Sequence, residues 1–256
     1  FPLPPDGVRV RFPEVYQHLL DTVKPHRDRN NMPFRRENWC WFGATHEMYR
    51  DFTRGLKRFI ATTETAKHRA FVFLDGDIRA DNKLVAIGSD DAFHLAVLSS
   101  RLHSAWALSA GALLEDRPVY PKSQCFDPFP FPDASQYLRR QLRQAGEELD
   151  ALRKQVLEAH QDLTLTSLYN VLEKLRSGDA LSKKDVSIKQ RGLVVVLKEL
   201  HDTIDALTAE AYGWRSDLSD GEMLVRLVAL NAERAADEAA GACAMAAGGV
   251  SGSAVL

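Results

Sequence analysis

The sequence predicts an α+β chain: a small mixed α/β domain, then an all-α region with an antiparallel coiled-coil-like pair of helices. Three observations predict it. Short runs of β-branched and aromatic residues fall between Arg58 and Ile87. Beyond Pro132 such runs stop and two heptad stripes take over. Between the two regimes lies "CFDPFPFPD", residues 125–133, where Pro128, Pro130 and Pro132 remove backbone donors and forbid helix.

Taken in order, residues 1–11 read as a Pro-rich leader. A short helix opens at Pro13, with Val15, Leu19 and Val23 at four-residue spacing, Leu20 beside them and Pro25 as its stop. Residues 24–43 carry four arginines with Phe34, Trp39, Trp41 and Phe42, have little periodicity, and read as an irregular loop. Strands are expected at 58–63, 70–74 and 84–87, the second closed by Asp75-Gly76-Asp77 and the third by Gly88. Ser89-Asp90-Asp91 suits the start of one helix over 91–110, and Gly111 suits its end. An extended piece runs on from about Val119. Residues 12–132 thus form the expected α/β domain.

Asp133 is a candidate cap for the first long helix. Its seam is Leu138, Leu142, Ala145, Leu149, Leu152 and Val156. A second seam is expected at Leu193, Leu197, Leu200, Ile204, Leu207 and Ala211, packed antiparallel on the first. A shorter helix over 165–175 lies between them and ends at Gly178-Asp179; a last helix covers roughly 219–240. Residues 133–240 form the expected helical domain. The small, uncharged, aperiodic end, 241–256, is expected to be disordered.

Composition narrows the chemistry. The 256 residues carry a formal charge of −2, which excludes a globally basic nucleic-acid binder but not a local patch. Cys40, Cys125 and Cys243 are far apart, with no C-x-x-C, so a reducing cytoplasm fits better than a disulfide framework or a zinc site. No apolar run approaches the ~20 residues of a membrane span. No Gly-rich F-x-G-x-G turn for S-adenosylmethionine is present, and Asp127-Pro128-Phe129-Pro130 displaces the second proline that an amino-methyltransferase loop requires. Asp75, Asp77, Asp81 and Lys83 have the residue types of a nuclease site, but a polar hairpin loop is the simpler reading. Cys40 reads as a semi-buried thiol.

Charge is unevenly spread. Residues 1–70 hold thirteen basic against eight acidic side chains, a net +5. Arginine forks suit phosphate oxygens and guanine edges. Arg27, Arg29, Arg35 and Arg36 are therefore candidate DNA contacts, with Asn30 and Asn31 beside them. Trp39, Trp41 and Phe42 read as core rather than as base-stacking platforms.

The order of "FPEVYQHLLDTVKPHRDRNN", "RENWCWFG", "RFIATTETAKHRAFVFLD", "LAVLSSRLHSAWAL" and "CFDPFPFPDA" resembles the target-recognition domain of MmeI-like type IIL/IIG adenine-N6 DNA methyltransferases. "LTLTSLYNVLEKL", "LKELHDTIDALTAEAYGW" and "LVALNAER" look like the helical C-terminal region of the same family. Together they cover about residues 12–236. The resemblance implies sequence-specific recognition of double-stranded DNA. It implies that S-adenosylmethionine and catalysis belong to an upstream domain, partnered in cis or in trans. No catalytic residue is assigned here. The resemblance adds Lys67, His68, Arg69, Arg101, Arg117, Tyr120, Lys122 and Ser123 as candidate DNA contacts, with Arg117 and Lys122 first among base readers and Arg101 alternatively a structural ion pair. The start at Phe1 and the unfamiliar tail raise the expectation of a truncated or frame-shifted gene product. The competing expectation is a helical interaction protein that has lost DNA binding.

Overall fold

The computed structural model describes residues 3–41, 51, 53–115 and 117–240. The chain divides into two units, Phe1–Arg50 and Asp51–Leu256, and each is described by itself.

The first unit holds four short helices: α1 (Pro5–Arg11), α2 (Pro13–Thr22), α3 (Lys24–Asp28) and α4 (Pro33–Glu37). Each has a proline at its first or second position, where the missing N–H costs nothing and the fixed φ is already helical. The leader and the irregular loop of the sequence reading are thus largely helical, because their prolines start helices rather than break them. Trp39 is buried and meets Tyr16 edge-on at 5.6 Å. Trp41 Nε1 donates to Leu3 O at 2.8 Å and its ring meets Phe34 at 6.2 Å. Phe42 and Gly43 lie outside the described residues.

In the second unit, β1 (Arg58–Thr63), β2 (Val72–Asp75) and β3 (Leu84–Ile87) form an antiparallel sheet of order β2-β1-β3. Ile60 lies opposite Phe73 on one side and Ile87 on the other. Where one long helix was expected, two occur: α5 (Ala92–Ser99) and α6 (Arg101–Ala110). Asp91 caps α5, accepting from Phe93 N–H at 2.9 Å. Ser100 is extended and caps α6 through His103 N–H at 3.3 Å, which forces the break. All eight residues of α5 are buried. A hairpin follows, β4 (Ala112–Leu114) with β5 (Arg117–Val119), then the short α7 (Lys122–Cys125).

The Pro-aromatic stretch is pinned from both sides. Phe126 and Phe129 are buried, Phe129 meets His103 edge-on at 4.4 Å, and Phe131 meets His94 at 5.6 Å. Its carbonyls accept from the C-terminal helices: Tyr212 Oη donates to Pro130 O at 2.8 Å and Arg234 Nη1 to Phe131 O at 2.6 Å.

The helical part is α8 (Gln136–Ala159), α9 (Leu165–Ser177), α10 (Lys183–Arg191), α11 (Val194–Ala211) and α12 (Asp220–Ala239). Ser135, not Asp133, caps α8, since it is Ser135 Oγ that accepts from Leu138 N–H. The first seam packs as expected, with Leu142 and Leu149 fully enclosed. The second seam keeps Leu197, Ile204 and Ala211, with Val194, His201 and Thr208 in place of Leu193, Leu200 and Leu207. Its buried row is Val194, Leu197, His201, Ile204, Thr208 and Ala211, still at heptad spacing. Leu193 is 42% exposed and sits ahead of α11 at φ 48°. Helices α8 and α11 run antiparallel: Arg153 lies beside His201, while Tyr212 at the far end of α11 reaches Pro130, just ahead of α8.

A second buried row on α8, Gly146, Asp150 and Arg153, faces α5 and the sheet. At Gly146 a Cβ would fall 2.3 Å from Ala92 O. Asp150 Oδ1 accepts from Phe73 N–H at 3.0 Å, and Arg153 Nη1 donates to Phe71 O at 2.8 Å. These two side chains bond Phe73 N–H and the Phe71 carbonyl just ahead of β2, on the edge where a fourth strand would pair. Arg58 on β1 forms a two-pronged ion pair with Glu147 and lies 3.7 Å from the Phe73 ring centre. One hydrophobic core therefore runs from Ile60, Phe71 and Phe73 through α5 to Leu149, Leu172, Leu197 and Ile204.

Candidate nucleic-acid interface

The twelve sequence candidates divide between the units. Arg27, Arg29, Arg35 and Arg36 lie in the first. Arg27 Nη2 donates to Trp41 O at 3.3 Å and Arg36 Nη1 to Asn30 O at 2.7 Å, while Arg29 is exposed and Arg35 half-buried on α4. The other eight lie in the second unit.

Five of those eight converge. A cleft of about 290 Å³ is lined by Lys67, His68, Arg69, Arg101 and Tyr120, closed on its far side by Tyr169, Glu173, Arg176 and His201. The 64–70 connection, α6 and β5 form one wall and α9 with α11 the other. Lys67 Nζ donates to Asn170 Oδ1 at 2.7 Å and lies 3.4 Å from Glu173; His68 Nε2 lies 2.8 Å from the same Asn170 oxygen. Arg101 is tied to Asp220 at 2.6 Å and to Leu218 O at 3.2 Å, the structural pairing foreseen as its alternative. Arg176 pairs with Asp202 and Asp205.

Arg69 differs from these. Its guanidinium donates to neutral oxygens, Thr62 Oγ1, Thr63 O, Glu64 O and Pro118 O, and lies over the Tyr120 ring at 4.9 Å. Burial lowers its pKa, and the charge stays on the cleft wall without a carboxylate hydrogen-bonded to it. Tyr120 is a core residue, 1% exposed, with its hydroxyl 2.8 Å from His103 Nε2. It supports Arg69 from beneath rather than presenting its hydroxyl to solvent.

The floor is a buried polar chain. Arg153 Nη2 donates to Tyr169 Oη, and Tyr169 Oη lies 2.8 Å from His201 Nε2. Burial, with Arg153 second, holds His201 well below its ordinary pKa, so it is neutral and accepts from Tyr169. Burial likewise takes His103 to about 3 and His94 to about 4.

The remaining three candidates stand away from the cleft lining. Arg117 is exposed on β5 and lies 3.5 Å from Glu115; Lys122 opens α7 half-buried, with Ser123 exposed beside it. Sequence reasoning missed Tyr169, Asn170, Arg176 and His201, because they come from the helical half. One signal was available: His201 is a polar residue on a heptad row. Asp75 ends β2, and Asp77 and Asp81 lie on the polar connection to β3, where Asp81 Oδ1 accepts from Lys83 N–H at 2.8 Å. Among the described residues no group of three or more His, Cys, Asp or Glu is placed to hold a metal ion. No helix among them is long and apolar enough to cross a membrane.

Residues 11–133 match the family described as MmeI, target recognition domain. This segment is an MmeI target-recognition domain. The domain supplies Lys67, His68, Arg69, Arg101 and Tyr120 to the cleft, and the helices after it supply the opposite wall. DNA methyltransferase A of Bacillus subtilis (strain 168) is 25% identical over 229 residues, 88% of this chain and 23% of that protein. The fold is shared with the type IIL restriction-modification enzyme MmeI, solved in complex with DNA: TM-score 0.60, 14% identity, 85% of this chain and 26% of that one. The chain spans about a quarter of the length of each.

Proposed function

We propose that this chain is the DNA-sequence-recognition part of a site-specific adenine-N6 methyltransferase of the restriction-modification or phage-defence type, working in the cytoplasm. The target-recognition-domain match over 11–133 carries the reading. The cluster of Lys67, His68 and Arg69 beside the exposed β4–β5 hairpin supports it. On this reading Lys67 and Arg69 meet phosphates, and Arg117 and Lys122 are the first candidates for base edges. The described strand pairings are all antiparallel. On this reading S-adenosylmethionine and methyl transfer belong to a catalytic domain in cis or in trans, and no chemical step is assigned to these residues.

Fluorescence anisotropy with a labelled duplex tests the reading. A surface touching several phosphates loses affinity steeply between low and physiological salt. Lys67→Ala should weaken all duplexes alike and flatten the salt dependence; Arg117→Ala should cost roughly 1–3 kcal/mol at one base pair. Negligible, salt-independent binding would overturn the reading and favour a helical interaction protein.

A further inference from the structure

Two side chains of the recognition domain are held from outside it. The connection from β1 to β2 is tied to its own domain at both ends. Near β1, Tyr120 N–H donates to Glu64 O at 2.8 Å and Ala66 N–H to Pro118 O at 3.2 Å. Near β2, Arg69 donates back to Thr63 O and to Pro118 O. Lys67 and His68 lie between these anchors. Among the described residues, every side-chain hydrogen bond they make goes to α9. One atom takes the two shortest: Lys67 Nζ donates to Asn170 Oδ1 at 2.7 Å and His68 Nε2 at 2.8 Å. An amide oxygen has two lone pairs, and these two bonds fill them.

The support is firm. A capping box of Thr164 and Ser167 fixes the start of α9, and Leu168, Val171 and Leu172 bury its inner face. The residue type also matters. A loose lysine must give up rotamer freedom when it meets a phosphate, and one already held has less to lose. An amide oxygen holds the lysine without cancelling its charge, as a carboxylate in that place would. Glu173 stands farther off at 3.4 Å, and an ion pair as exposed as this one contributes little. Asn170 and Glu173 together take two of the three Lys67 N–H groups, which leaves one for a phosphate oxygen.

We propose that Asn170 is a positioning residue for DNA binding, presetting Lys67 from the helical half of the chain. This rests on the duplex-recognition reading above. The test uses the full chain, labelled duplexes and fluorescence anisotropy over a salt series, with Lys67→Ala, Asn170→Ala and the double variant. Asn170→Ala should weaken binding to every duplex roughly two- to tenfold, the effect of one hydrogen bond. The double variant should bind no more weakly than Lys67→Ala, because Asn170 acts through that lysine. Asn170→Asp keeps the acceptor and adds a charge. It should unfold no earlier than wild type, yet bind more weakly, with a salt slope lower by about one. Asn170→Ser gives the same comparison if the alanine variant melts early. Losses that add in the double variant would make Asn170 a general brace and overturn the inference. Wild-type affinity in Asn170→Ala or in Lys67→Ala would do the same, and duplex recognition would stand on the salt dependence of the wild type. A wild type that binds no duplex would overturn recognition itself, and this inference with it.

Discussion

Gly146→Ala should destabilise the second unit even though alanine is the better helix former. In an open helix the change gains about 1 kcal/mol. Here the new Cβ would stand 2.3 Å from Ala92 O, 3.2 Å from Ala92 C and 3.3 Å from Ala92 Cβ. That is roughly 1 Å short of ordinary contact, and the obstacle is backbone, which cannot swing aside. Helices α5 and α8 must separate, and a gap of that size forfeits a quarter to a half of each contact's attraction along the interface. Overpacking of this kind costs roughly 1–3 kcal/mol. For a unit of this size the midpoint should fall by roughly 2–12 °C. Gly221 on α12 is the internal control, because nothing lies within 4 Å of its added Cβ. Gly221→Ala should be neutral to stabilising by up to about 1 kcal/mol, less if its place in the first turn blunts the gain. Thermal unfolding followed by circular dichroism measures both. If Gly146→Ala raises the midpoint as Gly221→Ala does, the close approach of α5 and α8 is wrong.

Three further outcomes are expected. Asp150→Ala removes the acceptor for Phe73 N–H and should cost about 1–3 kcal/mol in urea unfolding; a loss below about 0.5 kcal/mol would mean that water replaces the carboxylate. Leu197→Asp, at a position 1% exposed, should abolish cooperative unfolding or cost more than about 4 kcal/mol, whereas Leu193→Asp should cost little; equal effects would restore Leu193 to the seam. His94, His103 and His201 are held neutral by burial, with folded pKa values below the ordinary 6.5. The unfolded chain therefore binds more protons once pH drops below about 6.5, and stability declines from there toward pH 4, by up to about 1.4 kcal/mol per pH unit for each histidine. A stability profile flat between pH 7 and 5 would contradict their burial.

The heptad stripe of α8 and the strands at 58–63 and 84–87 were legible because their periods are clean. In the second seam Leu197, Ile204 and Ala211 were read correctly, but the alternate positions were missed because His201 and Thr208 occupy core positions, and a search for apolar residues passes over them. The break at Ser100 was hidden because α5 is buried all round, so its sequence has no polar face to mark where one helix ends. The β4–β5 hairpin went unread, since an extended piece was expected only from about Val119; Pro118 argues against a strand, and here it sits where β5 needs no donor toward β4. For the interface, the sequence placed Lys67, His68 and Arg69 together by adjacency and added Arg101 and Tyr120 through the family resemblance. It had no means of showing that helices a hundred residues downstream close the other wall, since that depends on how α9 and α11 fold back.

The pair Asp150 and Arg153 has a consequence for how the chain behaves in a crowded solution. An uncovered strand edge is a template on which another molecule's strand can grow. By bonding Phe73 N–H and Phe71 O from a helix, these two side chains give the edge of β2 an ending that cannot be copied by a neighbour. The guard stands on α8, which folds only with its partner helices. Any lesion that loosens the helical half, far from the sheet in sequence, should therefore appear first as insoluble protein rather than as a soluble, partly folded recognition domain.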